Sequence, residues 1–358
     1  MVTQLEQIEQ TLRKVPDQHL EFLAKQELIE RILTLKSEKN VLILGHNYME
    51  PLVFQLSGES ERGDSLGLSR AAAKADNPII LFDGVRFMAE TAKILAPQKK
   101  VLIADLEAGC SLADPFRREQ VLEYRKQYPH APVVTYINSY ADVKAESDYC
   151  CTSANALNVV LHAAETFDSH QVIFLPDALM GANIQQEVEH LGIELIWPGR
   201  YDEQFVRCEV HEQFQVEHIH QVREQYNIPK GAPDAAVLVH WECLPEVVAE
   251  ADYCGSTTQM GRYIAEHPEI KRVFLATECE MAANLSSEFP EVEFVKSCNI
   301  FCQHMRKITL EKIHHSLVHE VYEVHVDPDI AARARTAIDR MLEAPSGQMT
   351  APRQGGGA

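Results

Sequence analysis

Short apolar runs alternate with stretches of helical periodicity along most of the chain. The clearest runs are residues 41–45, 133–137 and 237–241, and each is followed by turn and helix signals. Continuous apolar runs of this length are typical of strands that are buried on both faces. Their alternation with helices predicts an α/β fold in which helices cover both faces of parallel sheets.

The chain also repeats itself. Residues 145–150 (AESDYC) recur with one change at residues 249–254 (AEADYC), an offset of 104. Each first strand is followed by a second strand that leads to a methionine-bearing helix, and a further strand with a cysteine beyond it closes each copy. Such a period predicts three pseudo-symmetric, three-layer αβα repeats. The predicted segments are N-terminal helices over 1–37, repeats over 38–125, 126–225 and 226–312, a C-terminal helical segment over 313–343 and a disordered tail over 344–358.

Polar side chains stand where the first strand of each repeat ends. The strand-end residues are His46, Tyr136 and His240, and the residues two positions further on are Tyr48, Asn138 and Glu242. Ligands bind at the carboxyl ends of parallel strands, so three equivalent ends predict one shared site on a pseudo-threefold axis. A strand-end histidine near Glu242 is a candidate acid or base, although His46 and His240 could instead be structural histidines.

Three cysteines, Cys110, Cys208 and Cys302, follow the last strand of their repeats. Thiolates select zinc, copper(I) or iron–sulfur clusters, and three ligands leave one coordination position open. A single free cysteine is more often a small core residue, but recurrence in all three copies favours a metal site. Cys298 competes with Cys302 for the third position, and we favour Cys302. The remaining cysteines are predicted to pack in the core: Cys150, Cys151, Cys243, Cys254 and Cys279.

Hydroxyl side chains recur at the predicted start of one helix in each repeat. They are Ser65, Ser153, Ser256 and Thr257. Such a residue is often only a helix cap, but free N–H groups at a helix N-terminus also bind carboxylate or phosphate, and both interpretations stay open.

Composition and the absence of certain motifs limit the partners, location and ligands that we expect for this protein. The chain has 53 acidic and 33 basic residues, a net charge of −20, which disfavours nucleic acid and anionic membrane surfaces as partners. An odd number of cysteines (nine), no signal-peptide pattern and no long apolar run predict a soluble, cytoplasmic protein in a reducing compartment. The absence of a G-x-G-x-x-G or P-loop motif leaves nucleotide binding without support.

Ordered motifs from about residue 40 to 345 strongly resemble the quinolinate synthase family. Among them are Gly45-His-Asn-Tyr48, Glu107-Ala-Gly-Cys-Ser-Leu-Ala-Asp114, Cys151-Thr-Ser-Ala-Asn-Ala156 and Cys302-Gln-His-Met-Arg-Lys-Ile-Thr-Leu310. The resemblance implies three αβα domains around a [4Fe–4S] cluster that is held by three cysteines and keeps one iron open to substrate. It also implies condensation of iminoaspartate with dihydroxyacetone phosphate to quinolinate, with loss of phosphate and two waters, on the route to NAD.

The resemblance assigns roles to individual residues. The implied cluster ligands are Cys110, Cys208 and Cys302. The residues we expect to transfer protons are Tyr136, His240 and Glu242. The implied substrate-binding residues are His46, Tyr48, Ser65, Asn138, Ser153, His211, Ser256 and Thr257. The resemblance also raises a functional link to an L-aspartate oxidase, which would supply the unstable iminoaspartate.

The sequence departs from the family pattern in the loop over residues 200–207, which lengthens the connection to Cys208, at Trp241, and at Gln303-His304. Two alternatives from other classes stay open. In one, the three cysteines hold structural zinc in a dicarboxylate-binding module. In the other, a cluster serves electron transfer, although such carriers use four cysteines at short spacing.

Overall fold

The computed structural model describes residues 3–295 and 299–344. Within them the chain forms two compact units. The first unit comprises the described residues up to 109 together with 278–294 and 299–326. The second comprises residues 110–277, 295 and 327–344.

The elements follow one another as the apolar pattern predicts. The first unit begins with α1 (Gln4–Leu12), α2 (Pro16–Glu38), β1 (Val41–His46), α3 (Pro51–Phe54), β2 (Arg62–Gly63), α4 (Ser65–Lys74), β3 (Ile79–Asp83), α5 (Arg86–Leu95) and β4 (Lys100–Ile103). The second unit then contains α6 (Arg118–Gln127), β5 (Val133–Tyr136), α7 (Ala141–Ala145), β6 (Tyr149–Cys151), α8 (Ala156–Thr166), β7 (Gln171–Leu175), α9 (Ala178–Val188), β8 (Glu194–Ile196), α10 (Val216–Gln225), β9 (Ala235–His240), α11 (Pro245–Ala249), β10 (Tyr253–Gly255), α12 (Thr257–Glu266) and β11 (Arg272–Ala276).

The C-terminal part of the chain contributes to both units. The first unit is completed by α13 (Cys279–Glu288), β12 (Glu293–Phe294) and α14 (Leu310–His319), and the second by α15 (Pro328–Glu343). Single turns of 3-10 helix cover Glu59–Glu61, Glu189–Leu191, His211–Gln213 and Met305–Lys307.

Three parallel sheets share one strand order. The first sheet runs β2-β1-β3-β4 and the second β6-β5-β7-β8. In the third, β9 lies between β10 and β11, and the N–H of Val295 donates to the carbonyl of Val273 in β11. The predicted α/β class with parallel sheets is therefore confirmed. The repeat boundaries stay a prediction, and the tail over 345–358 lies outside the described residues.

The register shows that the three repeats are equivalent residue by residue. The last residues of the first strands, His46, Tyr136 and His240, pair with Gly63, Cys151 and Gly255. Every residue of β3 and β9 is buried, as expected for strands covered on both faces. The helix methionines Met88, Met180 and Met281 are buried too, and each such side chain contributes roughly 1.5–3 kcal/mol to folding.

The terminal helices also pack as predicted. Phe22, Ile29 and Ile32 of α2 have no exposed surface, and neither have Ala337 and Ile338 of α15. Both helices begin with a proline in their first turn, where its missing N–H removes no intrahelical bond. Among the helices of residues 3–295 and 299–344, none has the length and apolarity of a membrane span.

The carboxyl of Asp83, the last residue of β3, is fully buried. Neither of its oxygens has a hydrogen-bond partner among residues 3–295 and 299–344. Burial raises the pKa of Asp83 well above its ordinary value, and Lys36 nearby offsets only part of that shift. A carboxylate in this place costs free energy when it ionises.

We therefore expect Asp83→Asn to be more stable than the parent near pH 8 and similar near pH 4. An acid whose pKa is raised by folding favours the folded state below its unfolded pKa, and this contribution is lost as pH rises toward the folded pKa. Asparagine has nearly the same shape and does not ionise, so the expected gain near pH 8 is about 1–3 kcal/mol. Urea unfolding across this pH range measures it, and an identical pH dependence in both proteins would contradict the burial argument.

Candidate active site

The loops that follow β1 and β9 have the same local geometry. In the first unit the N–H of Tyr48 donates to Nδ1 of His46 at 3.2 Å, and in the second the N–H of Glu242 donates to Nδ1 of His240 at 3.3 Å. Because Nδ1 accepts within the turn, Nε2 is assigned as the donor nitrogen of each ring. Nε2 of His240 lies 3.3 Å from Oγ of Ser153.

Glu242 lies at the centre of a buried polar cluster in the second unit. Its Oε1 accepts a hydrogen bond from the hydroxyl of Tyr136 at 2.5 Å and lies 3.4 Å from Nδ2 of Asn138. Burial alone would raise the pKa of Glu242, but His211 and His240 beside it, with the hydrogen bonds from His211 and Tyr136, hold that pKa below its ordinary range. These neighbours therefore favour the ionised form of the buried carboxylate.

His211 connects this carboxylate to a cysteine. Its Nδ1 lies 2.8 Å from Oε2 of Glu242 and 3.1 Å from Sγ of Cys208, and its Nε2 lies 2.9 Å from the hydroxyl of Thr277. The ring stacks on that of His240 with 4.6 Å between centroids. One ligand atom each from Cys208, His211 and Glu242 lie within 4.8 Å of one another, which is close enough to hold a metal ion.

The three predicted ligand cysteines have the same main-chain environment. The carbonyls of Cys110, Cys208 and Cys302 accept from the N–H four residues on, at 2.8, 3.1 and 3.1 Å. The carbonyl two residues before each cysteine accepts from the first residue of a helix: Ala108 from Arg86, Val206 from Ala178 and Ile300 from Cys279. Each of these bonds lies within one unit. Position in the repeat therefore favours Cys302, while Cys298 lies outside the described residues.

The lengthened loop over residues 200–207 leaves this environment intact. The guanidinium of Arg200 covers the ring of Trp197 at 4.4 Å, and the carboxylate of Asp202 accepts from the N–H of Gly199 at 2.8 Å. Gly199 has a φ of +91°, which favours glycine. The extra residues thus turn back before Cys208. Beyond it, the N–H of Glu209 donates to Oγ of Ser111 at 3.0 Å, so the loops of Cys208 and Cys110 are in contact.

The hydroxyl residues stand at equivalent positions but are not all helix starts. Ser65 is the first residue of α4, whose cap is Asp64, and Ser256 caps α12, which begins at Thr257. The prediction for Ser153 was wrong in this respect, because α8 begins at Ala156. The side chain of Asn155 accepts from the N–H of Thr152 at 2.8 Å and holds a turn there, which delays the helix.

Four of the five cysteines predicted to be core residues are buried, namely Cys150, Cys151, Cys243 and Cys254. Burial raises the pKa of Cys150 to about 12 and those of the other three well above the ordinary value, so they stay thiols. The prediction was wrong for Cys279, which is only half-buried. It is the first residue of α13, where its side chain projects from a helix end rather than from a strand.

Three polar residues near the site were missed from the sequence: Asp177, Thr277 and Glu278. All follow second strands of the repeats, and the rule that identified His46, Tyr136 and His240 would have found them. Oε1 of Glu278 accepts from the N–H of Cys302 at 3.2 Å, and burial raises the pKa of Glu278 to about 8. Asp177 caps α9, and burial together with the charge of Glu242 raises its pKa well above the ordinary value.

Parallel sheets whose strand ends carry buried histidine, tyrosine and glutamate, next to half-buried cysteine, define an α/β enzyme with acid/base and metal-ligating groups. Comparison with known proteins identifies which one. The family model described as quinolinate synthetase A protein matches residues 30–343. The chain belongs to this family of enzymes, and the resemblance drawn from its motifs is confirmed.

Individual relatives agree. The chain is 48% identical over 317 residues to quinolinate synthase 1 of Mesorhizobium japonicum, covering 88% of this chain and 91% of the relative. It is 44% identical over 327 residues to quinolinate synthase of Caulobacter vibrioides, covering 91% and 84%. It is 45% identical over 315 residues to quinolinate synthase of Xylella fastidiosa, covering 88% and 86%.

Proposed function

We propose that the protein condenses iminoaspartate with dihydroxyacetone phosphate to give quinolinate, phosphate and two waters, on the route to NAD. The observation that carries the proposal is the buried cluster around Glu242, in which Tyr136, His211 and His240 surround one ionised carboxylate. Condensation, isomerisation and dehydration all move protons, and such a cluster supplies the groups that move them.

We propose Cys110, Cys208 and Cys302 as the ligands of a [4Fe–4S] cluster. Support comes from their shared main-chain environment and their half-buried state, which contrasts with the four buried thiols. Thiolates are the ligands that iron–sulfur clusters use, so these residues fit that cofactor. When bound, an iron that lacks a protein ligand supplies a Lewis acid for polarising a carbonyl or assisting loss of a hydroxyl.

We assign the proton transfers to Tyr136, His240 and Glu242. The hydroxyl of Tyr136 already donates to Glu242, so the phenol oxygen can take a proton from substrate as its own proton passes to the carboxylate, and the reverse transfer returns a proton to substrate. Nε2 of His240 carries a proton and points to Ser153, where a substrate oxygen could take the place of the serine hydroxyl. Burial of all three side chains excludes bulk water from these transfers.

We assign substrate binding to eight polar residues: His46, Tyr48, Ser65, Asn138, Ser153, His211, Ser256 and Thr257. The N-termini of α4 and α12 are the positive ends of their helix dipoles, which suit the carboxylates and phosphate of the substrates. His46 and Ser65 would orient the substrate, and the hydroxyls would hold its anionic groups. The link to an L-aspartate oxidase and the cytoplasmic location stay predictions.

A second candidate rests on one observation. Cys208, His211 and Glu242 form a mixed sulfur, nitrogen and oxygen set, and such sets bind zinc as readily as iron. In that case the protein would hold zinc and bind dicarboxylates.

Anaerobic purification followed by iron, zinc and acid-labile sulfide analysis separates the two candidates. We expect about four iron and four sulfide per chain, with quinolinate formed from iminoaspartate and dihydroxyacetone phosphate. Stoichiometric zinc, no sulfide after reconstitution and no quinolinate would favour the second candidate and overturn the first.

A further inference from the structure

The methionine-bearing helices carry a feature that the proposed reaction does not use. In the second and third repeats the methionine is followed three residues later by asparagine, Asn183 on α9 and Asn284 on α13. Both side chains are buried, with 2% and 3% exposed. Burial of an amide costs free energy unless its N–H groups find acceptors, because the amide must be desolvated on folding.

Each amide makes the same two hydrogen bonds. Nδ2 of Asn183 donates to the carbonyls of Trp241 and Cys243, both at 2.8 Å. Nδ2 of Asn284 donates to the carbonyls of Asn47 and Met49, at 3.1 and 2.8 Å. Asn183 and its partners lie in the second unit, and Asn284 and its partners in the first. In both cases the acceptors are the residues one and three positions after a strand-end histidine.

In each turn, the two carbonyls that accept from the asparagine lie on either side of a residue to which we assign a role in the reaction. Within the turn after β9, the N–H of Cys243 donates to the carbonyl of His240 at 3.0 Å, and Glu242 lies between the two carbonyls that Asn183 holds. In the turn after β1, the N–H of Met49 donates to the carbonyl of His46 at 3.0 Å, and Tyr48 lies between the carbonyls that Asn284 holds. One side chain thus fixes both ends of each functional turn.

In the remaining repeat, a buried lysine donates to the corresponding carbonyl. Ser139 follows Tyr136 at the same distance as Cys243 follows His240, and its carbonyl accepts from Nζ of Lys144. Lys144 is completely buried. On α5 the position that corresponds to Asn183 is Thr91. Its hydroxyl donates to the carbonyl of Phe87 in the same helix at 2.9 Å. A buried donor to this carbonyl therefore occurs after all three strands.

We propose that Asn183 and Asn284 are positioning residues, which hold the turns that carry His240 with Glu242 and His46 with Tyr48 in their functional geometry. The inference rests on the proposed function for its kinetic consequences. Only an amide offers two N–H groups from one nitrogen at this length, since leucine has none and aspartate would face two carbonyls with acceptors. Oδ1 of both asparagines has no hydrogen-bond partner within the described ranges. The side-chain hydrogen bonds of both residues are therefore the ones that Nδ2 donates to the turns.

Hydrogen exchange tests the positioning without any assay of activity. In Asn183→Leu we expect the amides of Glu242 and Cys243 to exchange about tenfold faster or more, because two buried hydrogen bonds are lost. The amides of Tyr48 and Met49 keep the parent rate. Asn284→Leu shows the opposite pattern. Thr91→Val is the matched control, since it removes a buried hydroxyl at the equivalent helix position and leaves both turns at the parent rate.

The kinetics separate the two asparagines. Asn183→Leu lowers kcat about tenfold or more with KM nearly unchanged, because its turn carries proton-transfer groups. Asn284→Leu mainly raises KM, because its turn carries substrate-binding groups. Should a leucine variant fail to fold, Asn183→Ala and Asn284→Ala remove the same two donors with a smaller side chain and give the same pattern. Parent-like exchange at residues 242–243 in a folded Asn183 variant overturns the inference, whereas a parent that forms no quinolinate overturns only the proposed function.

Discussion

Cys110→Ala, Cys208→Ala and Cys302→Ala are each expected to lose bound iron and to fall below detection in quinolinate formation. Each substitution removes one of three proposed ligands, and a cluster with two thiolates from the protein is not retained. Alanine keeps the main-chain hydrogen bonds that these cysteines make through their carbonyls, so the fold is expected to survive. Iron, sulfide and far-ultraviolet circular dichroism of anaerobic preparations measure both effects.

Two other cysteines serve as controls. Cys279→Ala removes a half-buried thiol in the same unit as Cys302. The main-chain hydrogen bond from the N–H of residue 279 to the carbonyl of Ile300 does not involve the side chain and is kept. We expect Cys279→Ala and Cys298→Ala to retain most iron and activity. If Cys298→Ala lost the iron while Cys302→Ala kept it, the position of the third ligand in the repeat would have been assigned wrongly.

Glu242→Gln is expected to lower kcat by about 10²–10⁴-fold, the usual cost of removing a general acid or base. The carboxylate accepts from Tyr136 and faces Nδ1 of His211, and an amide cannot accept from both and remove a proton from substrate as well. Glutamine has nearly the same volume, so packing around the site is preserved. Steady-state rates of quinolinate formation measure kcat and KM separately.

The tyrosine next to it allows a matched comparison. Tyr136→Phe removes the hydroxyl that donates to Glu242 and should lower kcat about tenfold or more. Tyr124→Phe removes a hydroxyl that donates to the carboxylate of Asp202, in the same unit and at similar burial, and should leave kcat at the parent value. Equal losses of kcat in the two phenylalanine variants would show that the loss does not depend on the hydrogen bond to Glu242.

Part of the site could be predicted because it depends on local sequence. His46, Tyr136 and His240 were assigned to strand ends from apolar runs alone, and β1, β5 and β9 end at these residues. The start of α8 was misplaced for the same local reason, because the Asn155 side chain holds a turn that periodicity does not reveal.

The role of the asparagines could not be predicted. Asn183 acts on Trp241 and Cys243, 58 and 60 residues away, and Asn284 acts on Asn47, 237 residues away. Nothing in the spacing of Met180-Gly-Ala-Asn183 indicates which carbonyls it meets. The same holds for His211, whose contacts with Glu242 and Thr277 require three separate segments to fold together.

By itself, the sequence determined the α/β class, the repeat, the strand-end residues and the family, because these follow from hydrophobic period and from motifs within single elements. Only the tertiary structure decided which side chains share hydrogen bonds, that the carbonyl of Val206 before Cys208 accepts from the N–H of Ala178, and that Cys279 is half-buried. The physical reason is that burial and hydrogen-bond partners are properties of packed elements far apart in the chain, whereas strand and helix periods are properties of neighbouring residues.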